Sequence, residues 1–396
     1  MISVLGLLLA HGLGAALRSL ITGTPLRSTV RSVSSAWFAL ALAYALSLGW
    51  AGGVVMVACA AALLALRQRE TPGVFPWLAL VPLALVVLAR PWVPTGWDEF
   101  VWLGKARFEA QGFGAGVDAA LDPALHVIPM GYPPLWPAAV GWLALGRDAL
   151  DAHVLAASLL VLLTVASALE AWAEHVRRPD LVTVAALLTP LVWVHLRSTY
   201  VDLPVGLLGV ALLGQLLRRG PVAVPMAVAL VAFKDEGLAQ VLAATLAAAI
   251  VSRRDWRVAL PGVVGLVTVI TWQVLAARHG VEDADHALGA PYWPWVPTLI
   301  KLFVLHASDL FSWGLFWVVA LACAARLAPT NQPGRAVRWL VLVNLGFAAA
   351  ALLAGPERVR VFAENGTLIN RLLMQAWPGA ALIIALRDAI APAPAS

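Results

Sequence analysis

Charge is what this sequence has least of: Asp, Glu, Lys and Arg make up 12% of the 396 residues, and hydrophobic residues make up 61%. A water-soluble domain carries about 25% charged residues, so the composition excludes a soluble globular protein and implies an integral membrane one. Cysteine is nearly absent. Cys59 and Cys323 both lie inside apolar runs, which argues against a disulfide or a thiolate metal site. The first run, 2–17, lacks the basic start and small-residue cleavage site of a signal peptide and reads as a first span. Internal repeats, heptads and a separate soluble domain are missing too. The net charge of +5 does not point to nucleic acid, because the arginines form short clusters between apolar runs, a topological pattern.

Apolar runs are what is there. They fall near 2–17, 34–49, 52–66, 74–90, 150–172, 180–196, 201–217, 221–233, 237–251, 257–277, 310–326, 337–354 and 371–387. A span needs roughly 20 mainly apolar residues, about 17 at the short end. The fold class expected is therefore all-α, a polytopic transmembrane bundle of about 11–13 spans with outer juxtamembrane helices. Arginines at 18, 27, 31, 67, 69, 177, 178, 218, 219, 253, 254, 257, 326, 335 and 338 all fall on one side of this scheme, which positive-inside bias makes cytoplasmic. Most acids fall on the other side. The parity requires 134–146 and 297–307 to be short or re-entrant, and such elements must line a wet cavity or be covered by protein. That cavity is expected under the outer segments 91–133 and 278–296. The chain divides into N-terminal transmembrane helices (1–73), a main transmembrane unit (74–388) and a frayed tail (389–396).

One polar stretch interrupts this pattern. Thr95-Gly-Trp-Asp-Glu-Phe100 opens a segment that runs to Gly131-Tyr-Pro-Pro-Leu-Trp136. Asp98 and Glu99 stand side by side next to aromatic residues, just past a membrane-length run. Such acids lose hydration unless they are partnered or wet, which makes them functional candidates. Residues 97–111 read as an amphipathic helix lying at the interface, with Asp98, Trp102 and Lys105 sharing a face. The two prolines after Tyr132 force an extended entry into a short helix.

This order of features resembles the multi-span GT-C glycosyltransferases, and more closely their bacterial branch that uses polyprenyl-phosphate sugars, including protein mannosyltransferase-like and aminoarabinose transferase-like members. The motifs that carry it are the outer Asp-Glu with its juxtamembrane helix, Tyr132-Pro-Pro, Ser198-Thr-Tyr-Val-Asp-Leu-Pro204, Lys234-Asp-Glu-Gly237 and Asn370-Arg-Leu-Leu-Met-Gln-Ala-Trp-Pro378. Together they cover about residues 74–386 of the chain, with three spans ahead of the loop where many relatives have one. The resemblance implies a GT-C-like catalytic domain over 74–388 and a catalytic acid at Asp98. It implies a second outer acid at Asp202 and a donor lipid phosphate held at the outer membrane face. The expected partners are a polyprenyl-phosphate-linked sugar, membrane lipid, and an extracytoplasmic glycan, lipid or protein acceptor. The expected place is a bacterial plasma membrane.

Each candidate also has a plain structural reading. Asp98 either serves as acid–base group for the acceptor hydroxyl or caps its helix; Glu99 is its partner or faces water. Asp202 is a second site acid, orienting the acceptor or joining a divalent-metal site, or it is a helix-start carboxylate. No ligand cluster supports a metal or other cofactor. Lys234 and Glu236 belong to a turn or to the site, where a lysine near the donor phosphate would help it leave. Arg371 binds phosphate or snorkels to headgroups. Lys105 and Tyr132 complete the substrate-binding candidates, with Arg107 and His126 behind them. Trp293 and Trp295 read as belt or packing residues. A transporter or lipid flippase with the same wet cavity is the alternative function.

Overall fold

The stretch Asp202–Arg218 is apolar on every side of a helix, and such a helix belongs in the middle of a bundle. In the computed structural model it is buried from Asp202 to Leu216. The structure describes residues 2–66, 80–82, 84–85, 97–125, 132–176, 178–196, 198–252, 255–281, 289–327 and 331–387, with only the backbone of Trp97, Asp98, Thr367 and Arg387. Every regular element among them is helical. In chain order the main helices are α1 (Ile2–Thr22), α2 (Ala36–Ser47), α3 (Gly52–Ala65), α4 (Trp97–Arg107), α5 (Leu135–Leu143), α6 (Leu150–Trp172), α7 (Asp180–Leu188) and α8 (Pro190–Leu196). There follow α9 (Asp202–Arg218), α10 (Ala223–Phe233), α11 (Glu236–Ser252), α12 (Leu260–Arg278), α13 (Val296–Ala307), α14 (Phe316–Arg326), α15 (Gln332–Ala354), α16 (Glu357–Glu364) and α17 (Thr367–Arg387).

Among the described residues five helices are long and apolar enough to cross a membrane: α1, α6, α12 with its lead-in from Trp256, α15 and α17. Shorter apolar helices include α2, α3, α10, α11 and α14. The chain is thus an all-α, multi-pass membrane bundle. The central α9 packs against α6, α10, α11 and α17. Lipid tails provide no hydrophobic drive between helices, so close approach at small residues holds such contacts together. Gly206 shows this, because a Cβ there would lie 2.5 Å from the Gln375 carbonyl oxygen of α17.

α9 also sets the distance between two chemically different ends. Its 17 residues span about 25 Å at 1.5 Å per residue. At its last turn Arg218 pairs with Glu174 at 3.4 Å and Arg219 with Asp255 at 2.8 Å. Its first residue, Asp202, lies at the end where α10 stops and α11 begins.

Several elements differ from the sequence expectation. The run 180–196 is two helices, because Pro190 pushes the preceding Thr189 into an extended conformation (φ −104°, ψ 104°). The run 310–326 is broken at Gly314, whose φ of +57° suits glycine. Arg18 is not in a link. α1 continues to Thr22, and Arg18 is buried within it, donating through Nη1 to Ser32 Oγ at 2.6 Å and Ser35 Oγ at 3.1 Å. The helix expected at 97–111 is α-helical to Arg107 and 3-10 from Phe108 to Gln111. α5 and α13, with 9 and 12 residues, are short, as the readings of 134–146 and 297–307 require. The run at 74–90 lies largely outside the described residues, as do the tail 389–396 and parts of 91–133 and 278–296.

Gly206→Val should wedge α9 from α17 and lower stability by about 1–3 kcal/mol, read as an earlier thermal unfolding transition in detergent. Gly346→Ala, in open space, should leave that transition unchanged.

Candidate functional site

The site is assembled from helix ends. Asp202 opens α9 and is fully buried. Lys234 follows the last residue of α10 in extended conformation (φ −166°, ψ 152°), which turns its side chain out of the helix path. Glu236 opens α11, and Arg371 and Gln375 lie one turn apart near the start of α17. Lys234 Nζ donates to Asp202 Oδ1 at 2.8 Å and pairs with Glu236 Oε1 at 2.7 Å. Arg371 Nε donates to Asp202 Oδ2 at 2.9 Å, and Gln375 Nε2 to Oδ1 at 3.0 Å. A buried carboxylate needs this number of donors, since desolvating an ion costs several kcal/mol and only good geometry with further hydrogen bonds offsets it.

Aromatic rings surround the cluster. Lys234 Nζ lies 6.0 Å from the Tyr132 ring centroid, and Arg371 Cζ 5.8 Å from that of Tyr200. Tyr132 packs edge-on against Trp102 at 5.9 Å, and Lys105 Nζ lies 5.3 Å from the Trp102 ring. Burial lowers the Lys105 ammonium to about 8, with the charge of Asp235 acting in the opposite direction. Fully buried Glu99 accepts through Oε1 from the Thr199 backbone N–H at 3.3 Å, and Thr199 Oγ1 donates to the Glu99 carbonyl at 3.1 Å. Trp136 Nε1 donates to the Thr199 carbonyl at 3.1 Å. α4 and α5 are thereby tied to the segment that delivers Asp202.

The structure therefore brings Asp202, Lys234, Glu236 and Arg371 into direct contact. Tyr132 and Lys105 follow through the aromatic rings, and Glu99 through Thr199. The side chain of Asp98 lies outside the described residues, as does His126. Arg107 is apart from the cluster: exposed, it pairs with Asp148 (Nη2 to Oδ2, 2.9 Å). Trp295 is buried and donates to Glu364 at 3.2 Å, while Trp293 is exposed.

Three residues of the cluster were not singled out from the sequence. Gln375 stands four residues after Arg371 in an apolar helix, a spacing that places both on one face. His195 and Tyr200 pack ring to ring at 5.3 Å beside it. The loop between α4 and α5 also holds a buried carboxylate that sequence reading passed over. Glu109 accepts from Gly114 N–H (3.0 Å), Gly116 N–H (2.9 Å) and Trp142 Nε1 (2.6 Å). Burial raises its carboxyl above the usual range against these donors. It fastens loop to helix, away from the cluster.

Chemically, the cluster can hold an anion at the reachable edge of Arg371, whose side chain is 22% exposed, and can orient a hydroxyl against carboxylates. Among the described residues no group of three His, Cys, Asp or Glu is placed to hold a metal ion. Comparison with family models, with curated proteins and with solved structures gives no match.

Two measurements test this geometry. Lys234→Met should destabilise by about 3–5 kcal/mol, because it leaves Asp202 short of a charge partner. Combined with Asp202→Asn it should cost clearly less than the sum of the two single changes, a coupling read from a double-mutant cycle in detergent. The lysines of the chain are Lys105, Lys234 and Lys301, which makes amine labelling selective. With its ammonium lowered to about 8, Lys105 should be modified between pH 7 and 8.5, where an ordinary lysine is almost wholly protonated; Lys234 should stay unmodified. A Lys105 that labels only above about pH 10 would contradict the burial described.

Proposed function

We propose that the chain is a GT-C-like membrane glycosyltransferase of a bacterial plasma membrane, moving a sugar from a polyprenyl-phosphate carrier to an extracytoplasmic acceptor. The observation that carries this reading is the buried cluster of Asp202, Lys234, Glu236 and Arg371, drawn from three separate regions of the chain to one end of the central helix. Apolar packing of similar volume would often be as stable as such a buried ion network, so stability alone does not account for charge at this place. Intramembrane or juxtamembrane ionisable groups are functional-site candidates by default. Positive-inside bias favours a cytoplasmic position for the arginine-rich far end of α9, and this supports an outer-side reading of the cluster.

In the reaction, the acceptor hydroxyl oxygen bonds to the anomeric carbon and the carbon–oxygen bond to phosphate breaks. The electron pair of that bond leaves with the polyprenyl phosphate, and the hydroxyl proton passes to a carboxylate. Arg371 and Lys105 meet the negative charge gathering on phosphate, where preorganised cations act most strongly. Lys234, Asp202 and Gln375 position Arg371. Asp98, beside Glu99 on α4, is the carboxylate that takes the proton. A second reading, an ion-coupled carrier, is favoured by the buried Lys234–Asp202 pair, since paired charges inside a bundle also mark transport paths.

The deciding experiment is release of polyprenyl phosphate from a labelled polyprenyl-phosphate hexose by the purified protein, with cell-envelope extract as acceptor. Asp98→Asn should lower turnover by at least about 100-fold, the lower end for general acid–base groups, with unfolding temperature retained. Arg371→Gln should chiefly raise the donor KM. Near-normal turnover in Asp98→Asn would remove that residue as base. An inactive wild-type protein that moves solute in vesicles would replace the transferase with the carrier.

A further inference from the structure

α1 and α3 each pack on α2, and between them runs a groove of about 510 Å³. α2 and the start of α10 form its floor, where Phe38, Ala41 and Val224 are buried, while Leu20, Met56 and Leu64 form an exposed rim. Residue size explains the groove. Ala41, Ala45, Cys59 and Ala60 line it, and side chains this short do not close the distance between α1 and α3. α3 lines it from Met56 to Leu64, about 12 Å at 1.5 Å per residue, so it follows the helix and does not reach into the bundle.

The walls select an apolar occupant. Every lining residue is hydrophobic or proline, and a polar group placed there would lose its hydration with no hydrogen bond in return. Walls that touch nothing forfeit dispersion energy, which a hydrocarbon chain restores without adding a polar atom. The volume falls within the range of about 300–1,000 Å³ usual for sites that take a small molecule.

The end of the groove selects the headgroup. Ala223, the residue before Val224, and Leu66, two residues after Leu64, belong to a second, narrower cleft whose walls include Arg219 and Arg257. Arg219 pairs through Nε with Asp255 at 2.8 Å and is half exposed. A guanidinium has five N–H bonds, so one carboxylate does not saturate it. Two arginines against one aspartate leave a positive charge where the apolar groove ends, and basic pockets between membrane helices suit lipid phosphates. This is the start of α10, whose other end delivers Lys234; the groove is separate from the Asp202 cluster.

We propose that the groove holds one acyl chain of an anionic phospholipid of the surrounding bilayer, whose phosphate is met by Arg219 and Arg257. The lipid joins α1 and α3 to the arginine-rich end of the central helix. Nothing in this assignment depends on the transferase reading.

Photo-crosslinking tests it. The purified protein is placed in phosphatidylcholine nanodiscs with a trace of phosphatidylglycerol carrying a diazirine on one acyl chain, or with the matching phosphatidylcholine probe. After irradiation, peptide mass spectrometry should find the phosphatidylglycerol adducts concentrated on 17–21 and 56–64, and unlabelled phosphatidylglycerol should compete them away. Ala60→Phe, which fills the groove, should remove most of these adducts. Val57→Phe, on an exposed face of the same helix outside the groove, should not. Arg257→Gln, which leaves the lining intact, should lower the preference for phosphatidylglycerol over phosphatidylcholine about fivefold, the effect of one basic side chain at about 1 kcal/mol. Adducts spread evenly over the lipid-facing helices, or equal for the two probes, overturn the proposal and leave ordinary boundary lipid. Adducts absent from 17–21 and 56–64 overturn it in favour of another part of the chain, or a second copy, covering the groove. Competition by polyprenyl phosphate but not by phosphatidylglycerol overturns the choice of lipid.

Discussion

The Asp202 carboxylate is the constraint on which this bundle depends. It is fully buried and receives donors from Lys234, Arg371 and Gln375. Those donors belong to the α10–α11 turn and to α17, while Asp202 itself begins α9. One carboxylate thus fixes the relative height of four helices along the membrane normal. Apolar contacts between helices cannot do this alone, because a slide along the axis replaces one apolar contact with another. An ion pair with hydrogen-bond geometry has a single register, and removing one partner is costly. Gly206, one turn after Asp202, lets α17 approach closely enough for Arg371 and Gln375 to reach it.

The same logic explains where polar groups occur. In hydrocarbon every polar atom needs an internal partner, so the cheapest places for charge are the helix ends. Arg218 and Arg219 at one end of α9 and the Asp202 cluster at the other follow this rule. Inside the bundle, Arg18 of α1 and Glu170 of α6 are charged exceptions held by serines, and others are neutral: Asn344 of α15 donates to Gln240 of α11 at 2.8 Å, and Trp172 donates to the Val210 carbonyl at 2.9 Å. Charge at the ends sets depth and register, and neutral hydrogen bonds between helices add to the grip of small-residue packing.

The membrane class was legible from composition alone, and the long helices from run length. The breaks at Pro190 and Gly314 were missed because mean hydropathy does not register a residue that changes backbone direction. Arg18 was misplaced for a related reason: a lone arginine reads as the end of a span, but the serines at 32 and 35 let it stay inside the bundle. At the site, Asp202, Lys234, Glu236 and Arg371 stood out as charges interrupting apolar runs, and the fold brings these interruptions together. Gln375, His195 and Tyr200 gave no such contrast. Their surroundings come from tertiary packing, which a single sequence does not display.

Asp202 and its donors also limit what each member of the cluster can do. An ammonium has three N–H bonds. Lys234 directs donors to Asp202 and to Glu236 and lies over the Tyr132 ring, so a ligand anion would have to displace a carboxylate from it. Arg371 has five N–H bonds in a planar fork, with Nε on Asp202 and part of the side chain exposed. A planar fork can hold a protein carboxylate on one edge and an anion on another, which a point charge with filled contacts cannot. On the transferase reading, the lysine is therefore the brace and the arginine the group that meets the anion. Because the carboxylate that orients this arginine also sets the helix register, an anion that draws Arg371 outward works against the α9–α17 contact. On that reading, occupancy of the site and the height of α17 would be linked through one side chain.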